Sequence, residues 1–254
     1  MLEIIQLPVL NDNYIYLLHD KQSGETAVID PAVAEPVLQV LKQKSWQLSY
    51  ILNTHHHGDH VDGNLELKQQ TGCQIIASEF DKHRIPGVDR GVQDGEIIKL
   101  GKHIGKVIAA AGHTNGHILY YFADNNALFC GDTLFVMGCG RLFEGSAADL
   151  WQSLQKLKSL PPDTRVYCAH EYSENNARFA LTVEPDNLAL QEKMTLIKQL
   201  RANGLPTVPS TIDEELATNP FLREDSPSLR KNLDCNENAA VEVFAKLRRL
   251  KDNF

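Results

Sequence analysis

Thr54-His55-His56-His57-Gly58-Asp59-His60 is the stretch of this chain richest in chemistry. Its H-x-H-x-D-H spacing puts four ligand-capable side chains in one tight loop, and imidazole nitrogen with carboxylate oxygen suits zinc or iron. If the loop starts extended, His55 and His57 point to one side and His56 to the other, because the side-chain period there is two. A solvated histidine run is the plain alternative, and the embedded Asp59 with the interior position excludes an expression tag. Three further segments make chance a poor account. His113 stands in Ala-Gly-His-Thr, Asp132 in Cys-Gly-Asp-Thr and His170 in Cys-Ala-His-Glu, each directly after a β-like run. Ligand-type residues at four strand ends can converge along one sheet edge. Seven donors exceed the four of a tetrahedral zinc and suit two ions sharing a carboxylate. Asp132 is the candidate bridge, since a carboxylate has two oxygens and a neutral imidazole one lone pair.

The elements that must position these residues read as an alternation of short strands and a few helices. Strands are expected at Leu2–Leu7, Tyr14–Leu18, Thr26–Asp30, Leu48–Asn53, Gln74–Ala77, Ile97–Leu100, Val107–Ala110, Ile118–Phe122, Ala127–Cys130 and Val166–Ala169, bounded by Asn, Asp, Gly and Pro. Helical spacing marks Glu35–Lys44, a short piece at Leu65–Gln70, and Ala147–Leu160, stopped by Pro161-Pro162. After His170 helical periods dominate, at Asn187–Asn203 and Glu237–Lys251, so a domain boundary is expected at Tyr172/Ser173, dividing residues 1–172 from 173–254.

With 254 residues, 43% of them hydrophobic, the chain can bury a sizeable core. A net charge of -8 argues against a nucleic-acid binder. The N-terminus shows neither a secretory nor a transit pattern, and no apolar run is long enough to span a bilayer. The five cysteines, Cys73, Cys130, Cys139, Cys168 and Cys235, are odd in number and lack any C-x-x-C. They point to a reducing compartment, the cytoplasm. Cys139 and Cys168 are expected to be buried and inert, His117 to be structural, and His19, His83 and His103 to lie in surface-like settings. Asp30 is a candidate to orient a ligand histidine.

The loop with Gly-His-Thr, Gly-Asp-Thr and Ala-His-Glu following in order resembles the metallo-β-lactamase superfamily. Gly138–Gly145 (Gly-Cys-Gly-Arg-Leu-Phe-Glu-Gly), Asn11–Tyr14 (Asn-Asp-Asn-Tyr) and Leu247–Phe254 (Leu-Arg-Arg-Leu-Lys-Asp-Asn-Phe) are similar to the glyoxalase II, or hydroxyacylglutathione hydrolase, family. The resemblance implies an α/β fold, a four-layer αβ/βα sandwich, followed by a small C-terminal α-helical domain. It places His55, His57 and His113 on one metal and Asp59, His60 and His170 on the other, with Asp132 bridging. Zinc is the expected metal, with iron and manganese also compatible. Ala111 stands where many relatives have Pro, Arg141 where some have Lys, and Phe143 where some have Tyr.

The same resemblance implies a glutathione thioester as substrate, held by Arg141, Phe143, Tyr172, Arg248 and Lys251. Arg248 and Lys251 lie i, i+3 on the last helix, on an edge expected to stay partly exposed. Spacing alone would leave both, with Arg249, as a solvated face. Water shared by two divalent ions would become acidic enough to give up a proton near neutral pH, leaving a hydroxide able to attack a thioester carbonyl, with Asp59 or Asp132 as catalytic residues holding its proton. The thiolate leaves without a strong general acid, its conjugate acid having a pKa of about 8.5. The implied reaction is hydrolysis of S-D-lactoylglutathione to glutathione and D-lactate, the second step of methylglyoxal detoxification, by a monomer. The rival readings are an iron-dependent sulfur dioxygenase acting on glutathione persulfide and a non-catalytic metal-binding module.

Overall fold

Asn-Tyr-Ile-Tyr-Leu-Leu-His, residues Asn13–His19, is buried at every position. A strand covered on both faces must be flanked by neighbours and packed above and below. In the computed structural model, which describes residues 1–254, this strand is β2. It runs antiparallel to β1 (Glu3–Val9) and to β3 (Glu25–Ile29). The sheet then turns parallel. Helix α1 (Glu35–Lys44) returns the chain to β4 (Gln47–Leu52), α2 (Gly58–Val61) and α3 (Asn64–Thr71) lead to β5 (Gln74–Ser78), and β6 (Arg90–Val92) closes the order β1 to β6. Because β3 and β4 are parallel neighbours, their C-terminal ends lie side by side, and with them Asp30 and the histidine loop.

Two faces of this sheet have different work. On one, α1 and α3 bury Val37, Leu41 and Leu67 against Ile15, Leu17, Val28, Ile51 and Ile75. On the other, Tyr16 meets Phe129 with ring centroids 5.5 Å apart. Phe129 belongs to an antiparallel meander of β7 (Ile97–Leu100), β8 (His103–Ala109), β9 (Ile118–Phe122) and β10 (Ala127–Gly131). The fully buried Tyr120 hydroxyl donates to the carbonyl of Asn53, 2.9 Å away, just where β4 gives way to the histidine loop. These elements form one compact unit, residues 1–110 and 115–131.

The second unit, residues 111–114 and 132–254, begins with the hairpin β11 (Leu134–Phe135) and β12 (Gly138–Cys139). Helix α4 (Ala147–Lys158) follows, opened by a capping box in which Ser146 and Asp149 satisfy each other's backbone amides. Strand β13 (Arg165–Cys168) pairs antiparallel with β14 (Ser210–Thr211). The remainder is helical: α5 (Ser173–Val183), α6 (Leu188–Ala202), α7 (Ile212–Thr218), α8 (Pro227–Asn232) and α9 (Ala240–Asp252). Phe179, Phe221 and Phe244 form its aromatic core, with centroids 5.8 to 6.0 Å apart.

Expected and observed elements agree closely where periodicity was strong. The bounds at Glu35–Lys44, Ile97–Leu100 and Ile118–Phe122 coincide. Strand β8 starts four residues earlier than Val107, at His103. The polar start alternates inward and outward, and its inward histidine disguised it. The short elements β6, β11, β12, β14, α7 and α8 carry too few residues to show a period. The compact units divide at Gly131/Asp132, with 111–114 joining the second. Helix α4 packs on α7 and α9, which draws the segment after Asp132 to the helical elements.

Candidate functional site

In the first unit, Asp30 organises the histidine loop. One carboxylate oxygen accepts the Thr54 amide at 2.7 Å, and the other accepts the Thr54 hydroxyl at 2.6 Å. The hydroxyl has one proton and gives it to Asp30, so toward His55 Nδ1, 3.1 Å away, it can only accept. His55 therefore carries its proton on Nδ1 and presents the Nε2 lone pair. The second oxygen of Asp30 also lies 3.0 Å from His60 Nδ1, which fixes the same tautomer there. A carboxylate behind an imidazole is the usual way a ligating histidine is aimed. His117, which is buried, stacks on His55 at 4.8 Å.

Each of the two nitrogens released by this arrangement faces another donor. His55 Nε2 and His57 Nδ1 are 3.0 Å apart, and His60 Nε2 lies 3.6 Å from an Asp59 carboxylate oxygen. Two ligands on a tetrahedral zinc are separated by roughly 3.3 Å, given metal–ligand bonds of about 2.0–2.1 Å. The donors are thus spaced as the edges of coordination polyhedra. His56 turns away, to Asp81 at 3.3 Å. Asn13, from the Asn-Asp-Asn-Tyr segment, donates to the carboxylate of Asp59 at 3.1 Å.

The second unit presents Asp132 between two histidines. One oxygen lies 3.4 Å from His113 Nε2 and the other 3.3 Å from His170 Nε2. His113 Nδ1 donates to the Arg141 carbonyl at 2.9 Å, leaving Nε2 as its ligand atom. The glycine before each of two donors is sterically required. At Gly112 (φ +144°) a Cβ would sit 2.5 Å from Leu150, and at Gly131 (φ +48°) 2.4 Å from the Thr54 hydroxyl.

His113 and Asp132 line a cavity of about 510 Å³ together with Arg141, Phe143, Tyr172, Asn175, Arg248 and Lys251. Tyr172 stacks on His170 at 4.8 Å with its ring nearly parallel, and Phe143 meets His113 edge-on at 5.2 Å. Arg141 is 64% exposed, with Asp252 3.8 Å away. Lys251 lies over the rings of Phe179 and Phe254 and donates to the Asn175 side chain. Burial, then Arg248, Arg178 and Arg141 nearby, push its ammonium down to about 8. Arg248 corrects the expectation of an exposed edge. It is 3% exposed, donates to the carbonyls of Cys139 and Gly140, pairs with Asp252 at 3.0 Å and covers Phe221. Its place on the inner stripe of α9, beside Leu247, explains this.

Two more expectations change. His19 and His103 are buried, not surface-like. His19 stacks on Trp46 at 4.0 Å and bonds Thr26, with burial lowering its pKa; His103 bonds Asp124 and Asn125. His83 is exposed as expected. Cys139 and Cys168 are buried, their thiols pushed up to about 11 and about 12 by desolvation. Residues the sequence did not single out include Asn175 at the cavity, Asp252 beside Arg141 and Arg248, and Asp81 behind His56. Their signal is ordinary polarity, which nothing distinguishes before the chain is folded.

Comparison with known proteins gives two family matches. Residues 10–170 match the metallo-beta-lactamase superfamily model and residues 171–254 the hydroxyacylglutathione hydrolase C-terminus model. The hydroxyacylglutathione hydrolase of Methylococcus capsulatus is 56% identical over 254 residues, covering 100% of this chain and 99% of its own. The hydroxyacylglutathione hydrolase of Rhodospirillum rubrum is 51% identical over 253 residues, with 100% and 99% covered. Among solved structures, ETHE1 from Myxococcus xanthus superposes with a TM-score of 0.68 at 25% identity, covering 96% of this chain and 98% of its own. The fold is the metallo-β-lactamase α/β sandwich with a helical C-terminal region.

Proposed function

Because the chain belongs to the hydroxyacylglutathione hydrolase family of the metallo-β-lactamase superfamily, we propose that it hydrolyses S-2-hydroxyacylglutathione thioesters, S-D-lactoylglutathione giving glutathione and D-lactate, as the second step of methylglyoxal detoxification. One observation carries the reading: a candidate metal carboxylate, Asp132, and the cations Arg141 and Lys251 line one cavity. That combination suits a substrate with a reacting carbonyl at one end and carboxylates at the other.

The donors fit two divalent metal ions. His55, His57 and His113 would hold one and Asp59, His60 and His170 the other, with Asp132 shared. Two facing histidines on its two oxygens support the sharing. Zinc suits the nitrogen-rich set, and iron or manganese is compatible. When bound, such ions supply Lewis-acid polarisation and a nucleophile available at neutral pH.

The chain's own residues do the rest. Asp30 and Thr54 orient His55 and His60. Asp59, steadied by Asn13, and Asp132 are the carboxylates placed to take the nucleophile's proton. Arg141 and Lys251 attract the glutathione carboxylates, and Phe143 and Tyr172 supply ring faces to the peptide stem. Arg248 contributes charge to the cavity from a fixed, buried position. The leaving thiolate has a conjugate acid near neutral pKa, about 8.5, so no dedicated acid is required.

Residues 1–172 form the catalytic domain and 173–254 the substrate-binding domain in this reading, supported by family matches that meet at 170/171. Buried, unbridged cysteines support a cytoplasmic setting. A net charge of -8 argues against nucleic acid, and no helix is long and apolar enough to cross a membrane. The same reading takes the chain to work as a monomer.

Steady-state turnover of S-D-lactoylglutathione beside a small neutral thioester, with metal content measured on the same sample, tests the reading. Preference for the glutathione thioester with about two ions per chain is expected. Oxygen uptake on glutathione persulfide with one iron would favour the dioxygenase, and full metal loading without turnover the non-catalytic module. The match of residues 171–254 to a hydroxyacylglutathione hydrolase model disfavours both.

A further inference from the structure

Asp132 and Arg141 are joined by the β11–β12 hairpin, whose turn contains a non-glycine residue in the left-handed region, Met137 with φ +53°. Side-chain-bearing residues adopt that conformation rarely, so something must hold it. The Met137 side chain is fully buried, which rules out glycine as an easy substitute.

The holding groups come from α5, from α7 and from the residue just past α7. Glu215, on α7, accepts the Met137 amide on one carboxylate oxygen at 2.8 Å. Asn219, just past α7, donates to that same oxygen at 2.9 Å and reaches the carbonyls of Phe135 and Gly138, one on each side of the turn, at 3.2 and 3.0 Å. Asn176 on α5 donates to the Val136 carbonyl at 3.1 Å. Glu215 is completely buried, and no cation hydrogen-bonds to it. Burying a carboxyl group is unfavourable unless its hydrogen bonds do something an apolar side chain cannot. Here one of them satisfies the Met137 amide and the other holds Asn219, whose side chain reaches the two carbonyls flanking the turn.

We propose that Glu215 is a positioning residue: by fixing the β11–β12 hairpin it sets where Arg141 stands at the cavity, a role that rests on the assignment of Arg141 to substrate. Glu215 touches no candidate donor and does no chemistry itself. Burial pushes its carboxyl up to about 7, so glutamine, a shape-matched stand-in for the neutral acid, should retain the function. Glutamine keeps one acceptor oxygen for Met137.

The test compares wild type with Glu215→Gln, Glu215→Leu and Asn219→Ala, using full-length protein of measured metal content. Amide exchange read at Met137 should rise about tenfold or more in Glu215→Leu and Asn219→Ala and stay near wild type in Glu215→Gln. KM for S-D-lactoylglutathione should rise roughly five- to tenfold in the same two variants, with kcat and turnover of a small neutral thioester little changed. Unaltered exchange in both would overturn the pinning. Faster exchange with unchanged KM would overturn the positioning role, as would equal losses on both thioesters. Should Glu215→Leu not fold, Asn219→Ala carries the same readouts. If wild type itself does not prefer glutathione thioesters, the substrate assignment fails, while exchange at Met137 still decides whether the turn is pinned.

Discussion

His55, His57, Asp59 and His60 come from one short stretch of the first unit, the loop after β4 and the start of α2, where one carboxylate, Asp30, reaches both His60 and Thr54. His113, Asp132 and His170 come from three loops of the second unit, and the cationic side chains near them come from a hairpin and a helix remote in sequence. The first arrangement is local: a short stretch of chain specifies both donors and spacing. The second is assembled, and its donors are only as well placed as the packing of the helices allows. Loss of a side chain should therefore act in different ways in the two regions.

Asp132→Ala strikes the assembled region hardest. It removes the proposed shared carboxylate, so bound metal should fall well below two per chain and turnover by at least about a hundredfold, more than the loss of a residue that merely supports a ligand. Two ions retained by elemental analysis, with near-normal turnover, would show the local loop to be sufficient by itself.

Asp30→Ala probes the local region, and the expected loss of metal affinity or activity is about 10- to 100-fold. If metal titration shows a smaller change than that seen for a surface aspartate, then Thr54 and His60 do not depend on Asp30, and the contrast between the regions weakens.

Arg141 and Arg248 sharpen it further. Arg141→Ala should raise KM for glutathione thioesters several-fold, an effect that fades with salt because the side chain is exposed. Arg248→Ala should lower the melting temperature by several degrees, since it unpairs buried carbonyls of Cys139 and Gly140 and removes charge-assisted bonds worth about 1.5–3 kcal/mol each. Thermal denaturation that leaves Arg248→Ala unchanged, with KM alone altered, would return Arg248 to a direct substrate contact.

The smallest effect concerns pH. Lys251 has its ammonium lowered to about 8, chiefly by burial. It is charged below that pH and loses its proton above it, so attraction for a substrate carboxylate is present at pH 7 and declines through pH 8. The profile of kcat/KM, which reports the free enzyme, should fall on the alkaline side. In Lys251→Met that alkaline limb should flatten; a limb that persists belongs to another group.

The sequence carried the local region almost completely, in its histidine spacing, and the donors of the assembled region in part, in the Gly-His and Gly-Asp pairs and the strand-like runs ending at each donor. Even Asp30 could be suspected from its place at a strand end. Arg248 illustrates what was not visible. Its i, i+3 relation to Lys251 says that the two share a helix edge, but not whether that edge meets water or the β11–β12 hairpin. His103 was misjudged for the same reason, because its polar neighbours hid an inward-facing position. Glu215 left no sign, since a buried acid looks like any other glutamate until the turn it serves is folded beside it.

Asp30 also sits at φ +49°, in the left-handed region. Glycine would adopt that backbone freely but brings no carboxylate, while glutamate keeps the charge but tolerates the conformation poorly and displaces the oxygens by a methylene. Asparagine tolerates the backbone and offers one acceptor where two are engaged. In a survey of every substitution along the chain, position 30 should behave as a site of almost no freedom, where volume, polarity and torsion each exclude a different set of the remaining amino acids.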